Sequence, residues 1–238
     1  MNTPQEEPFA PSSQARTPVR LEPTIGVTMR PIGTALPLGY FAFALGMMML
    51  AGDVIGWFDG EEKLVGIVIA AYVFPLQLVA TVMAYLGRDT VSGTTLGLFS
   101  TSWLAFGLLD VFRSPGPEPT VLGVFSLAFG VVILGLAVVA SRNKPLFAAV
   151  LILCTARAVL DAIYVFTDVS ALAFATGCIA LAASVAAGYL GLSLLFENAW
   201  PGAVLPVFRR GPAAAALEGE ITTSRAGIRA EPGVRDQL

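Results

Sequence analysis

The sequence predicts an all-α membrane protein, a bundle of six transmembrane helices with both termini on the cytoplasmic side. Hydrophobic residues make up 55% of the 238 residues and charged residues only 13%, whereas soluble domains carry roughly 25% charged residues. About half of the charged side chains lie in residues 1–35 and 197–238, so the central part is depleted even further. An ordinary soluble enzyme is thereby excluded. At a net charge of −3 we also expect no nucleic-acid partner.

Six apolar stretches are long enough to cross a bilayer, whose hydrocarbon core of about 30 Å requires about 20 helical residues. Backbone groups cannot face lipid unpaired, so helices are expected at 36–58, 64–86, 94–112, 121–140, 146–166 and 171–196. The segments between them are short and carry turn-forming and charged residues. The transmembrane domain is therefore placed at 36–206, in contact with membrane lipid.

The two ends of the chain are predicted to be disordered cytoplasmic tails, at 1–35 and 207–238. Residues 1–35 contain six prolines and no apolar run, so they do not form a signal peptide. With both ends inside, eleven Lys and Arg residues fall on the cytoplasmic side and two, Lys63 and Arg113, on the outer side. Short loops and the preference for Arg over Lys favour a multi-pass protein of a bacterial inner (plasma) membrane.

The absence of histidine limits the possible chemistry. It removes Ser-His-Asp triads and histidine metal sites, so we expect no enzyme, no catalytic residues, no metal and no cofactor. Cys154 and Cys178 lie inside apolar stretches and lack the spacing of metal ligands. They are interpreted as small buried apolar residues.

Four ionisable residues interrupt the apolar stretches: Asp53, Asp110, Arg157 and Asp161. Asp53 and Asp110 lie near the predicted outer ends of their helices, where they can reach the headgroups. Arg157 and Asp161 are four residues apart, share one helix face and can form an ion pair. Two interpretations stay open. The pair locks the fifth helix to a neighbour, or Arg157 anchors an anionic substrate while Asp161 holds the guanidinium or relays a proton.

Uncharged polar side chains cluster at mid-depth in the second and third helices. Ser100, Thr101 and Ser102 are consecutive, and Gln77 follows Pro75. Pro75 lacks a backbone N–H, so it frees a carbonyl one turn back and is expected to kink its helix. The hydroxyls either line a wet path or bond back to their own helix. Together with Arg157 and Asp161, these four polar residues are the candidates for contact with a substrate or a proton.

Short motifs occur at the ends of several helices. Residues 34–40 read Thr-Ala-Leu-Pro-Leu-Gly-Tyr, residues 93–98 read Gly-Thr-Thr-Leu-Gly-Leu, and Lys144 precedes the fifth helix. The first motif resembles the N-P-A-P-L-G-L signature of the acetate uptake transporters, and it retains Pro37, Leu38 and Gly39. The second resembles the family's G-N-T-F-G-L entry to the third helix. This family contains the bacterial succinate–acetate permeases and their fungal acetate and ammonia-export relatives, and the resemblance covers about residues 33–207.

The resemblance implies six-helix protomers that each contain a path and assemble as a ring-shaped homo-oligomer, commonly a hexamer. It also implies a constriction of three bulky residues, which falls at Phe43, at Trp103 or Leu104, and at Leu153. Two departures concern the substrate path. Thr34 and Ala35 replace the Asn-Pro of the signature, and the family's tyrosine in the third helix is lost at Trp103.

The sequence therefore predicts a membrane transporter or channel for acetate-like small monocarboxylates, with proton symport as one possible mode. One alternative is a channel for small neutral solutes such as urea or amides, in which uptake is independent of a pH gradient. The other is a non-transporting membrane scaffold or sensor, which passes no small solute at all.

Overall fold

The computed structural model describes residues 33–87, 89–112, 119–200 and 205–211. In this part of the chain there are helices and no strand, and six helices are long and apolar enough to cross a membrane. They are α1 (Leu36–Ile55), α2 (Glu62–Leu86), α3 (Thr90–Phe112), α4 (Thr120–Ser141), α5 (Pro145–Thr167) and α6 (Ser170–Ala199). The predicted all-helical fold with six spans is confirmed. The predicted tails lie largely outside the described residues.

Several helix ends differ from the predicted ones because local capping determines them. α1 stops at Ile55 instead of residue 58, since Gly56 has φ 89° and its N–H bonds to the carbonyl of Asp53. The Trp57 N–H bonds to the carbonyl of Gly52 at 2.7 Å, which completes a Schellman motif. α3 begins four residues early because the Asp89 carboxylate accepts the Ser92 N–H at 3.1 Å, as an N-cap does.

A π-helical turn at Ile69–Val73 interrupts α2 immediately before Pro75. Proline cannot donate to the carbonyl one turn back, and its ring crowds that carbonyl, so the wider turn absorbs the misfit. The Ser100 hydroxyl of α3 donates to the carbonyl of Phe74, the residue that follows this turn, at 3.3 Å. The distortion expected at Pro75 is therefore this π-helical turn. The carbonyl of Phe74, next to the turn, accepts a hydrogen bond from α3.

The six helices close into a ring. α1 packs on α6 and α2, α2 packs on α3, and α5 packs on both α4 and α6, while α3 and α4 meet only briefly. The centre is filled by bulky apolar side chains from α1, α3, α4 and α5. On the outside, large apolar residues such as Val131, Val138 and Val185 are exposed, as expected for surfaces that face lipid or another subunit.

α2 and α3 cross with their backbones in close contact at Gly66 and Gly107. A Cβ added to Gly107 would lie 2.5 Å from the carbonyl oxygen of Gly66, and one added to Gly66 would lie 2.6 Å from that of Gly107. Both obstacles are backbone atoms, so no side chain can move aside. Only glycine fits at either position.

Residues 205–211 are held against the bundle although the sequence places 207–211 in a disordered tail. Val207 is buried, and the Arg209 guanidinium forms a bidentate pair with Glu197 near the end of α6, at 3.0 and 2.6 Å. The Arg210 N–H donates to the carbonyl of Asn143 at 3.1 Å. This segment therefore covers the end of the bundle at which α5 begins and α6 ends.

Candidate transport path

In the part of the chain that the structure describes, a series of four cavities lies inside the helix ring. The first, called the basic cavity, has a volume of about 100 Å³ and is lined by Lys144 and Arg209 at the end where α1 begins. The last, called the charged chamber, has about 90 Å³ and is lined by residues at the opposite ends of the helices, including Asp53 and Asp110. Two smaller cavities of about 10 and 20 Å³ lie between them.

Neighbouring cavities share side chains, which places them in series. Tyr40 and Phe147 line both the basic cavity and the next one, and Phe99 lines both small cavities. Phe106 and Arg157 line both the second small cavity and the charged chamber. The four cavities therefore adjoin one another in this order, from the end of the bundle where α1 begins to the opposite end.

Three aromatic rings, Phe43, Phe99 and Trp103, lie where the two small cavities adjoin. The ring centroid of Phe43 lies 4.8 Å from that of Phe99 and 5.9 Å from that of Trp103, and all three side chains are buried. Phe43 and Trp103 were predicted as constriction residues. Phe99 was not, although it lies one helical turn before Trp103 and so shares its face.

The other two constriction candidates lie away from the cavities. Leu104 follows Trp103 on α3 and therefore points in another direction, and it is only half-buried. Leu153 is partly buried and packs against the core from α5, but it lines none of the four cavities. The neighbouring residue of α5 that does line a cavity is Cys154.

Gln77 links the constriction to the start of α1. Its side chain is completely buried, its amide nitrogen donates to the carbonyl of Gly39 at 3.4 Å, and its amide oxygen accepts the indole N–H of Trp103 in a short hydrogen bond. Gln77 also lines the first small cavity. Its position fixes the orientation of the Trp103 ring, because a buried indole N–H is costly to leave unpaired.

The three consecutive hydroxyl residues of α3 separate into different environments. Ser102 lines the second small cavity, but its hydroxyl donates back to the carbonyl of Phe99 at 2.8 Å. Ser100 bonds to α2 as described above. Thr101 is exposed on the outer surface, and its hydroxyl donates to the carbonyl of Gly97 at 3.1 Å. Consecutive helical residues point about 100° apart, so the three side chains cannot line one path together.

The signature residues at the start of α1 serve helix packing. Gly39 lies against α3, where an added Cβ would come within 2.8 Å of Leu96, and Pro37 is buried beside it. Leu38 points outward. None of the three lines the cavities, whereas their neighbours Leu36 and Tyr40 line the basic cavity.

The charged chamber contains the four ionisable residues that interrupt the apolar stretches: Asp53, Asp110, Arg157 and Asp161. Arg157 and Asp161 share a helix face as predicted. In the part of the chain that is described, however, no ion pair joins them: Asp161 accepts the hydroxyl of Ser126 from α4 at 2.6 Å instead. The hydroxyl comes from a helix packed directly on α5, and sequence spacing gives no sign of it.

At the opposite end, Lys144 is fixed beside the basic cavity by a carboxylate. Its ammonium lies 2.5 Å from Asp89 and 3.1 Å from the hydroxyl of Ser92, which itself donates to Asp89 at 2.9 Å. Burial of Asp89 opposes its ionisation, but the charge and hydrogen bond of Lys144, with the Ser92 bonds, outweigh burial and lower the pKa of Asp89. This network ties the start of α3 to the start of α5.

This network is expected to stabilise the protein in a pH-dependent way. Because the pKa of Asp89 is lower in the folded protein, its stabilising effect is complete above the pKa of an unfolded Asp, about 3.9, and is lost progressively as the pH falls from there through the folded pKa. Asp89→Asn should therefore lower the melting temperature at pH 7 and have a smaller effect at pH 3. Asp59→Asn, in an exposed turn, serves as the control. A difference that persists unchanged at pH 3 would contradict the assignment.

No group of three or more Cys, Asp or Glu side chains in the described residues is placed to hold a metal ion.

No family model matches the sequence, and no curated protein is similar to it. Among solved structures, the bacterial acetate channel SatP superimposes with a TM-score of 0.67 at 21% sequence identity. The match covers 74% of this chain and 99% of the other. The chain has the fold of SatP.

The similarity to SatP supports, at the level of the fold, the resemblance that the sequence motifs indicate. Nearly all of SatP is matched, so the portion of this chain outside the match is additional to that fold. At 21% identity the match does not carry individual residues across. The assignment of residues to the path therefore rests on the cavities and contacts of this chain.

Proposed function

We propose that this protein is a channel or transporter that carries small monocarboxylates such as acetate across a membrane. The observation that carries the proposal is the series of four adjoining cavities through the ring, with Phe43, Phe99 and Trp103 at its centre. Its fold, shared with an acetate channel, favours this substrate class over other small solutes.

The charge at one end of the path suits an anion, because Lys144 and Arg209 line the basic cavity. At the other end Arg157 offers a cation within a chamber that three aspartates also line. A carboxylate sheds water when it passes an apolar constriction, and burial of an unpaired charge is costly. A cation on each side of the aromatic rings lowers that cost, and a co-transported proton would remove it altogether.

The remaining features belong to the same proposal. Both termini face the cytoplasm of a bacterial cell, and the protomers form a ring-shaped homo-oligomer, a hexamer, in the inner membrane. The exposed apolar surface of α4 provides a face for such an assembly. Native mass spectrometry of the detergent-solubilised protein measures the number of subunits, and cysteines introduced at the two ends report the side on which each end lies.

Uptake of labelled acetate into proteoliposomes tests the function. We expect uptake above that of empty liposomes, and stimulation by an inward proton gradient if a proton is co-transported. Phe43→Trp, which adds bulk at the constriction, should lower uptake, while Phe112→Trp at the exposed end of α3 should not.

Two outcomes would overturn the proposal. Uptake of urea without uptake of acetate would identify a channel for neutral solutes. The absence of flux for either solute, in protein that remains monodisperse, would identify a scaffold or sensor.

A further inference from the structure

The charged chamber differs chemically from the rest of the path. The two small cavities are lined mainly by aromatic and aliphatic side chains, whereas Arg157, Asp161, Tyr164 and Thr176 all line the chamber. An acetate ion offers one carboxylate and one methyl group, and a guanidinium in an apolar pocket would satisfy both. With acetate bound, the carboxylate groups of the chamber would have no function, because a carboxylate does not bind a methyl group.

The relation between Arg157 and Asp161 leaves room for a ligand. Both line the same chamber, one helical turn apart, yet they form no ion pair with each other. Ser126 occupies one carboxylate oxygen of Asp161, Oδ2, and holds the group on the α4 side. Arg157 also lines the adjoining cavity, at mid-depth in α5.

We propose that the charged chamber binds a small carboxylate that carries a hydrogen-bond donor on the carbon next to its carboxylate, as α-hydroxy and α-amino acids do. The ligand carboxylate pairs with the guanidinium of Arg157, and the neighbouring hydroxyl or ammonium donates to Asp161. One ligand thus bridges two groups that the protein holds apart.

Charge and size both favour this class over acetate. A carboxylate at Arg157 also approaches the negative charge of Asp161, in a chamber that Asp53 and Asp110 line as well. A donor between the ligand carboxylate and Asp161 converts that repulsion into a charge-assisted hydrogen bond. The chamber has about 90 Å³, which admits acids of two or three carbons without crowding. The inference rests on the proposed function only in taking the ligand to be a transported solute. Binding at the site can be measured without transport.

Titration calorimetry of the purified protein in detergent tests the site with three probes: acetate, glycolate and glycine. They share a two-carbon skeleton and differ only in the hydrogen, hydroxyl or ammonium on the second carbon. We expect glycolate, glycine or both to bind about tenfold more tightly than acetate, the change produced by one charge-assisted hydrogen bond. Which of the two binds more tightly identifies the donor.

Two variants separate the two contacts. Asp161→Leu should remove the preference over acetate while leaving acetate binding in place, and Arg157→Gln should weaken all three ligands by about tenfold. Asp59→Leu and Arg142→Gln, both in exposed turns, are the matched controls. They should change neither the preference over acetate nor the affinity for the three ligands. Uptake of the same three probes into proteoliposomes is measured in parallel.

The outcomes distinguish this inference from the proposed function. Acetate uptake without any preference among the three probes overturns the inference and leaves the function standing. A binding preference that Asp161→Leu abolishes, in protein that transports nothing, supports the site and overturns the function. Wild-type protein that prefers acetate, or a preference that survives Asp161→Leu, overturns the assignment of the chamber.

Discussion

Replacing Gly107 by alanine is expected to destabilise the bundle by about 1–3 kcal/mol, the usual range for overpacking, or to prevent folding outright. The added methyl group would lie 2.5 Å from the carbonyl oxygen of Gly66 and 2.9 Å from the Cβ of Ala70. α2 and α3 would have to separate along their crossing. The midpoint of thermal unfolding and the monodisperse fraction in detergent measure the effect.

A second glycine provides the control for helix propensity. Gly135 lies in α4, and a Cβ added there meets no atom within 4 Å. Alanine is favoured over glycine inside a helix by about 1 kcal/mol, so Gly135→Ala should leave stability unchanged or raise it. If both substitutions have the same effect, the close approach of α2 and α3 does not contribute to stability as described.

The six spans could be predicted from the sequence because the bilayer imposes a length and a composition on each of them. The helix ends could not, since they depend on particular contacts: Gly56 ends α1 by adopting a left-handed conformation, and Asp89 begins α3 by capping it. The place of residues 205–211 is equally a matter of tertiary contact. Their polar composition is typical of a tail, while Val207 and Arg209 hold them to the bundle.

Residues of the candidate site could be predicted only where helical periodicity or the family resemblance indicated them. Phe43 and Trp103 were found through the family motifs, and the helical repeat from Trp103 back to Phe99 was a signal that could have added the third ring. The bond from Ser126 to Asp161 joins residues 35 positions apart, and that from Lys144 to Asp89 joins residues 55 apart. Such pairings depend on which helices become neighbours, and spacing within one helix does not reveal that.

Trp103→Ala is expected to widen the central constriction and to let larger carboxylates through. The indole is buried against Phe43 and Phe99, and Gln77 accepts its N–H. Uptake of benzoate relative to acetate should rise by about tenfold, which corresponds to lowering the barrier for the larger ion by about 1.4 kcal/mol. Competition between the two labelled acids in proteoliposomes measures this ratio.

Two further variants separate the size of the side chain from its hydrogen bond. Trp103→Phe keeps an aromatic ring in the constriction but leaves the amide oxygen of Gln77 without its donor, so it should lower thermal stability while it continues to exclude benzoate. Phe112→Ala removes an aromatic ring from the same helix at an exposed position and should change neither property. If Trp103→Phe admits benzoate as readily as Trp103→Ala does, the orientation imposed by Gln77, rather than the bulk of the ring, controls selectivity. If neither variant changes the ratio in folded protein, the aromatic rings do not lie on the route that the substrate takes.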